Sequence, residues 1–553
     1  MLRRPGGGRH DALAETLAWS WSLLSPDERE ALVQCAIFRT PFRVDAAEQV
    51  LRLDAHGFVL DAIQGLVDAS LLIRVPGTSP ARLRMYEVTR EFALGTPSDD
   101  ALRLRHARFF ARHGAPDRDL SERPVRSESE ALIRDAELED LVAGAQAALS
   151  ARDVATSLDL ARALAASMAV RGPLLGARPW VEAALTLSDG EPGHASRRSA
   201  LRLLWGSSLA KVPAWDELEQ VYAAALRDDP PVVERVQWHW LEAIRNLFRG
   251  DFESAQRSWV SAMDGVGDNE PLRAQLLAVG AHLALRRREL PEARAMLFRA
   301  LDFAEGRDRI ARPIHAVLGT VLGALGEDEA ALQHKEESLR LALQGRQLDA
   351  QADSHEGLGT FLASQGQLDA AERHYAAAAT RYAKLGQSRY ILTANRAELA
   401  LDRCDPASAR LLASEAASGA RAAGVTLIEG LTLAIEGRAL LDLGDAPGAL
   451  EVLDRARSLL PETERRPTAQ LDLARAVAMA RCGDAAARSV LAHAREALHE
   501  KDFDQVHCWC THGEVETALG DLDEARRALV EIDLLPSSPR LDRLVAALRE
   551  RLE

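Results

Sequence analysis

The sequence predicts an all-α protein, a solenoid of stacked helical hairpins preceded by a small domain that carries one β-hairpin. Three observations predict it. Turn signals recur at a nearly constant interval through most of the 553 residues, small residues stand at fixed distances from those turns, and two short extended runs near the start flank a Pro-Gly turn.

The turns come first. A glycine followed by an acidic or amide residue occurs at Gly250-Asp251, Gly326-Glu327, Gly366-Gln367, Gly444-Asp445, Gly483-Asp484 and Gly520-Asp521, with weaker versions at Arg288-Glu289 and Cys404-Asp405 and fainter ones at Gly172 and Lys211. Successive anchors from 172 onward are 39, 39, 38, 38, 40, 38, 40, 39 and 37 residues apart. Glycine accepts the left-handed backbone that ends one helix, and an acidic residue next to it caps the following one. The repeating unit is therefore helix, turn, helix.

Seven residues before the turn stand Ala243, Ala281, Gly319, Gly359, Ala397, Gly437, Ala476 and Gly513. Five after it stand Ala255, Ala293, Ala331, Ala371, Ala409, Ala449 and Ala525, and twelve after it Ala262, Ala300, Ala378, Ala416 and Ala456. Small side chains at fixed phase let helix backbones approach closely, with larger apolar groups packed around the contacts.

This pattern resembles the tetratricopeptide repeat over about residues 155 to 535: a small residue in the first helix, a Gly-Asp turn and two alanines in the second. The resemblance implies a right-handed superhelix. A period near 39 residues, against the family's usual 34, implies helices about one turn longer, as in the repeats of bacterial signal-transducing ATPases.

Residues 10–94 read differently. Ser25-Pro26-Asp27-Glu28 is a capping box with proline at the first helical position, and Phe58, Ile63, Leu66 and Val67 outline a further helix. Leu71 to Val75 and Arg82 to Val88 flank the turn Pro76-Gly77-Thr78-Ser79-Pro80, which predicts a β-hairpin and, with three helices, a winged helix. The segments Leu17-Ala18-Trp19-Ser20-Trp21, Leu24-Ser25-Pro26 and Tyr86-Glu87-Val88-Thr89-Arg90-Glu91-Phe92-Ala93 resemble the winged-helix part of bacterial STAND (NB-ARC-like) signalling ATPases. In that family it follows a nucleotide-binding domain and precedes tetratricopeptide repeats. The chain is thus expected to open where the family's ATPase core ends. No P-loop pattern occurs, and none of the four lysines (Lys211, Lys335, Lys384, Lys501) follows a glycine. The predicted organisation is a winged-helix domain over 1–94, a helix and linker over 95–130, a helical lead-in over 131–190 and repeats over 191–553.

Composition narrows the function. Lys plus Arg number 68 against 83 Asp plus Glu, a net charge of -15, so the chain as a whole has no attraction for phosphate backbones or anionic lipid. Residues 1–110 hold 14 basic and 14 acidic side chains, and the helix expected between Arg52 and Arg74 carries Asp54, Asp61 and Asp68 with no Lys or Arg. Three carboxylates facing phosphate repel it, so nucleic acid is not the expected partner, although a DNA-binding regulator is the alternative that a winged helix invites. No apolar run is long enough to cross a bilayer and no signal-peptide core opens the chain, which points to a cytoplasmic protein. Its five cysteines read as free thiols.

The search for chemistry finds no catalytic set, metal site or cofactor site. His355-Glu356-Gly357-Leu358-Gly359 begins like a zincin but has glycine where the second histidine is required. His507-Cys508-Trp509-Cys510-Thr511-His512 matches no zinc spacing and reads as packing of a terminal repeat. His239, His315 and His355, each eleven residues before its turn, read as structural histidines where the family packs a bulky residue.

A solenoid offers instead a wall lined by the first helix of each pair. The resemblance places groove-facing positions thirteen, ten and six residues before the turn, which selects Gln237, Trp240, Gln275, His282, Asp353, Glu356, Thr360, Glu398 and Arg438. Trp238 and Trp240 point roughly 200° apart on one helix, so one of them is expected to show. Five of the nine tryptophans fall between Trp205 and Trp259, which marks the early repeats as a candidate binding region. The expected role is a sensor or scaffold for a protein or peptide, for an ATPase or effector module, or for a small-molecule effector. Replacing Trp240, Glu356 and Arg438 by Ala is expected to weaken capture of that partner without unfolding the chain.

Overall fold

The computed structural model describes residues 9–53, 57–95, 99–115, 137–211, 214–228, 230–345, 348–387, 389–460, 465–498, 502–532 and short stretches between 545 and 552. The chain separates into two compact units, one of residues 1–212 with 216–235, the other of residues 213–215 with 236–553.

In the first unit, helices Pro26–Cys35, Val44–Val50, Val59–Asp68 and Glu87–Ala93 accompany the hairpin Leu72–Val75 and Arg82–Met85. The hairpin pairs antiparallel with Leu72 opposite Met85. The short strand Phe42–Arg43 joins the free edge of Arg82–Met85, a pairing too brief to show in the sequence. The capping box is formed: Glu28 N–H donates to Ser25 Oγ at 3.2 Å and Ser25 N–H to Glu28 Oε2 at 2.7 Å. The second strand was expected to reach Val88 but stops at Met85. Tyr86 keeps extended backbone and starts helix Glu87–Ala93, which buries Thr89 and Ala93.

Helices Asp100–Ala111, Leu138–Ser150 and Val154–Arg171 follow. Buried polar groups tie them to the preceding elements. Asp140 accepts from the backbone N–H groups of Arg39 at 2.8 Å and Thr40 at 3.0 Å, and its Oδ1 lies 3.0 Å from His106 Nε2. Glu137 pairs with Arg82 at 2.8 Å and with His113 at 2.9 Å. Within the candidate linker Gly95 and residues 99–115 are described; 96–98, 116–130 and Asp54 lie outside the described residues.

The second unit carries the repeats. Paired helices run Glu270–Arg286 with Leu290–Phe303, Asp308–Leu325 with Asp328–Gly345, Leu348–Ser364 with Leu368–Lys384, Tyr390–Asp402 with Pro406–Ala422, Thr426–Asp442 with Ala446–Leu459, Arg465–Arg481 with Ala487–Ala497, and Asp502–Leu519 with Leu522–Ile532. Each turn closes in one way. The residue after the anchor donates its N–H to the carbonyl five residues before it, as from Asp251 to Asn246 at 2.9 Å, Glu327 to Leu322 at 2.9 Å and Asp445 to Leu440 at 3.0 Å. That bond requires a left-handed residue at the anchor. Gly326 supplies it at no steric cost, while Arg288 and Cys404 adopt the same conformation, with φ of 64° and 59°, despite their side chains. Asp251, Asp405 and Asp445 then cap the second helix by accepting from the backbone N–H three residues on, at 3.0–3.1 Å. Lys211, by contrast, ends helix Ala195–Lys211.

Every alanine expected five and twelve residues after the turn is buried, from Ala255 and Ala262 through Ala449 and Ala456 to Ala525. The glycines seven before the turn are where helices come closest. A Cβ on Gly359 would stand 2.8 Å from the Tyr375 ring, and one on Gly319 would stand 2.9 Å from the Ala331 carbonyl oxygen. From Glu270 to Leu519 each first helix packs against its own second helix and against the first helix of the next hairpin. Second helices pack on both neighbouring first helices but at most marginally on one another, so this stretch bends toward its first helices. The result is an all-α, tetratricopeptide-like solenoid whose core is a string of clusters, including those around Leu318, Tyr375 and Leu453.

Candidate functional site

The first helices bring one row of polar groups together between residues 282 and 442. At one end lies His282, half-buried and pushed down to about 4 by burial and by the nearby Arg286 and Lys335 cations. Lys335 sits nine residues after its turn, a position that holds Leu297, Tyr375 and Leu453 in other hairpins. Its ammonium donates back to the first helix, to Ala316 O at 2.8 Å and Thr320 Oγ1 at 2.7 Å. Burial lowers its pKa to about 8.

One hairpin on, Tyr375 OH donates to Thr360 Oγ1 at 3.2 Å. Tyr382 OH lies 2.6 Å from Asp353 Oδ1 and 2.9 Å from Glu356 Oε2, and Asn395 Nδ2 donates to Glu356 Oε1 at 3.1 Å. Arg389 Nη2 donates to Asp353 at 2.9 Å and to the Tyr382 oxygen at 3.1 Å, with its guanidinium 4.7 Å from that ring's centroid. A single phenolic proton serves two carboxylates here. Burial raises the pKa of Glu356 against the opposing influence of Arg389 and its hydrogen bonds to Tyr382 and Asn395. The row continues in Glu398 and Arg438, paired at 2.8 Å, with Asp402 and Asp442 close enough to act on the guanidinium.

Of the residues selected from the sequence, Asp353, Glu356 and Thr360 thus share one network, and Glu398 and Arg438 form one ion pair. Asp353 and Thr360 are exposed, Glu356 is buried, and Gln237, Gln275, His282, Glu398 and Arg438 are half-buried. Trp238 is fully buried. Trp240 is half-buried against the cluster of Val236, Ala262, Leu272 and Leu276, with its indole N–H covered and unpaired. Tyr375, Tyr382, Arg389 and Asn395 fall outside the groove-facing register because they belong to second helices, to a turn between hairpins and to a position nine residues before the turn; Lys335 likewise stands on a second helix. Polar residues at positions that are apolar in sibling hairpins are the signal that marks Lys335 and Tyr375.

Two of the three histidines at the eleven-before position have a histidine as their partner. His315 Nδ1 lies 2.8 Å from His334 Nδ1, and His355 Nδ1 lies 2.9 Å from His374 Nδ1, so each faces a second histidine on its own hairpin. In the segment 507–512, Cys508 and Cys510 are buried, burial pushes Cys510 up to about 12, and His512 Nε2 lies 3.3 Å from Glu524. Among the described residues no helix is long and apolar enough to cross a membrane.

No family model and no curated protein matches the sequence. Solved structures do align with it. A Rap protein complexed with competence and sporulation factor is 13% identical, over 64% of this chain and 99% of that one, with a TM-score of 0.44. The quorum sensor NprR in complex with its cognate peptide is 12% identical, over 60% of this chain and 98% of that one, with a TM-score of 0.41. A STAND protein with a tetratricopeptide repeat sensor from Pyrococcus horikoshii is 11% identical, over 100% of this chain and 68% of that one, with a TM-score of 0.27.

Proposed function

We propose that the chain is a non-catalytic sensor or scaffold that holds an extended peptide or protein segment along the first-helix row from His282 to Arg438. The carrying observation is the row itself. Its charged and hydroxyl groups are positioned by second-helix and turn residues, as Tyr382 and Arg389 position Asp353, so a ligand meets side chains whose geometry is already set. Its charge runs from the Lys335 ammonium at one end to Asp353, Glu398, Asp402 and Asp442 at the other, where Arg389 and Arg438 offset the carboxylates only in part, and this gives a bound segment a preferred direction.

In this reading the amino-terminal domain is a winged helix that contacts another protein module, as the STAND resemblance implies, and does not read DNA. Trp19, Leu23, Phe58, Leu60 and Tyr86 are exposed apolar side chains on that domain, and Asp61 and Asp68 lie on helix Val59–Asp68. Exposed large apolar groups suit a protein contact, while carboxylates on the candidate reading helix oppose phosphate.

Peptide-display selection on the full chain tests the proposal. Enriched peptides are expected to lose at least tenfold in affinity with Asp353→Ala plus Arg438→Ala, substitutions at an exposed and a half-buried position. Peptides indifferent to both changes would remove the row as the binding site.

A further inference from the structure

The paired histidines stand off this row. They occupy the positions eleven before and eight after the turn, where the first helix meets the second at a half-buried edge. In sibling hairpins the same two positions hold Leu277 with Met296, and Leu433 with Val452. An apolar pair therefore suffices for packing, yet two successive hairpins carry histidine at both places. In each the Nδ1 atoms face one another, at 2.8 Å for His315 and His334 and 2.9 Å for His355 and His374, with ring centroids 5.1 and 5.2 Å apart.

We propose that each histidine pair is a two-nitrogen binding site for a divalent transition-metal ion of the nickel and copper type, with water completing the coordination shell. The separation selects the ion. With metal–nitrogen bonds of about 2.1 Å, nitrogens held this far apart subtend roughly 84–87° at the metal, close to the cis angle of square or tetragonal coordination. A tetrahedral ion would need them about 3.4 Å apart. The half-buried rings must tilt so that both lone pairs meet off the line joining the nitrogens.

All four imidazoles are ready to bind. Burial lowers the pKa of each ring, which favours the neutral imidazole that a metal ion requires. In the free pair one Nδ1 carries a proton and the other accepts it. On metal binding that proton passes to its own ring's Nε2 through solvent, both Nδ1 lone pairs bind the cation, and no net proton leaves the two rings.

The two sites are unequal. The Glu337 carboxylate acts on both His315 and His334, with Arg340 held against it at 2.7 Å and opposing it at His315, whereas Arg381 acts on His355 and Arg373 on His374. The first site is therefore the tighter one. Among the described residues no group of three His, Cys, Asp or Glu side chains gathers into a metal cluster, so each site has two protein ligands and exchanges readily.

The test is competition of Cu²⁺ and Ni²⁺ between a chromophoric chelator and the untagged full-length chain at pH 7.5. Two equivalents are expected. His315→Leu with His334→Met, the residues a sibling hairpin uses, should remove the tighter one, and adding His355→Leu with His374→Met should remove the second. Melting of each variant without metal establishes that it folds, and Cu²⁺ should raise the melting temperature of the wild type but not of the fourfold variant. Equal binding by wild type and fourfold variant would assign the metal to other histidines and overturn the proposal, as would a preference for Zn²⁺ over both test ions.

Discussion

Lys335 Nζ reaches across its hairpin to the carbonyl oxygen of Ala316, 2.8 Å away, and burial is the one influence that shifts its titration. The buried ammonium is a cost to the fold that two neutral acceptors only partly offset.

The linkage sign follows from that cost. A lysine lowered from 10.5 to about 8 makes the unfolded chain bind more protons than the folded chain between those values, so stability rises as pH climbs through that window. The interval corresponds to roughly 3 kcal/mol. Lys335→Leu, copying Leu297 and Leu453, should raise the pH 7 stability of this part of the array by about 1–2 kcal/mol once the lost hydrogen bonds are counted. It should also flatten the rise between pH 8 and 10.5. Denaturant titrations at pH 7 and pH 10 measure both, and an unchanged pH slope would refute the assignment.

Glu356 was expected to be a clean groove substitution, but its place in the network changes the outcome. Glu356→Ala strands the Asn395 amide and one contact of the Tyr382 phenol, and should destabilise by roughly 1–3 kcal/mol. Glu356→Gln keeps an acceptor for Asn395 and adds a donor beside Tyr382. A carboxyl whose pKa is raised by burial stabilises the fold fully below its unfolded value and loses that contribution as pH rises through the folded value. The glutamine variant should therefore equal or exceed wild type at pH 7, and the difference should vanish near pH 4. A glutamine variant as unstable as the alanine one would mean that the carboxylate charge itself holds the network.

Gly359 tests how tightly the hairpins close. An added Cβ would lie 2.8 Å from two Tyr375 ring atoms, and that ring is buried with its hydroxyl on Thr360. Gly359→Ala should destabilise by about 1–3 kcal/mol. Tyr375→Leu in the same background should recover part of the loss, because Leu297 stands at the matching position of a hairpin that has Ala281 in place of Gly359. Thermal melts of the two variants decide it; no recovery would place the strain in the Ala371 carbonyl instead.

The architecture was legible because it rests on local rules. Gly326 and its equivalents mark where a left-handed residue must stand, and Ala331 or Ala371 marks where backbones touch, both at fixed spacing. The site was less legible. Asp353, Glu356 and Thr360 could be read from register, but Arg389 lies in an inter-hairpin turn and Asn395 in the next first helix, and neither register nor composition announces their contacts. His334 and His374 carry no signal of their own, because the position eight residues after the turn holds unrelated side chains such as Met296 and Val452 in sibling hairpins. The turns between hairpins carry a weaker signal: Gly306 and Gly424 are followed by neither an acidic nor an amide residue, and Gly267 and Gly386, which are, fall outside the series of turns spaced 37 to 40 residues apart.

From Glu270 to Leu519 the second helices touch the first helices on both sides but one another at most marginally. Each first helix is therefore keyed into both adjoining joints of the array, whereas the outward side of a second helix belongs to none, so substitutions on the former propagate to a neighbour and those on the latter stay local.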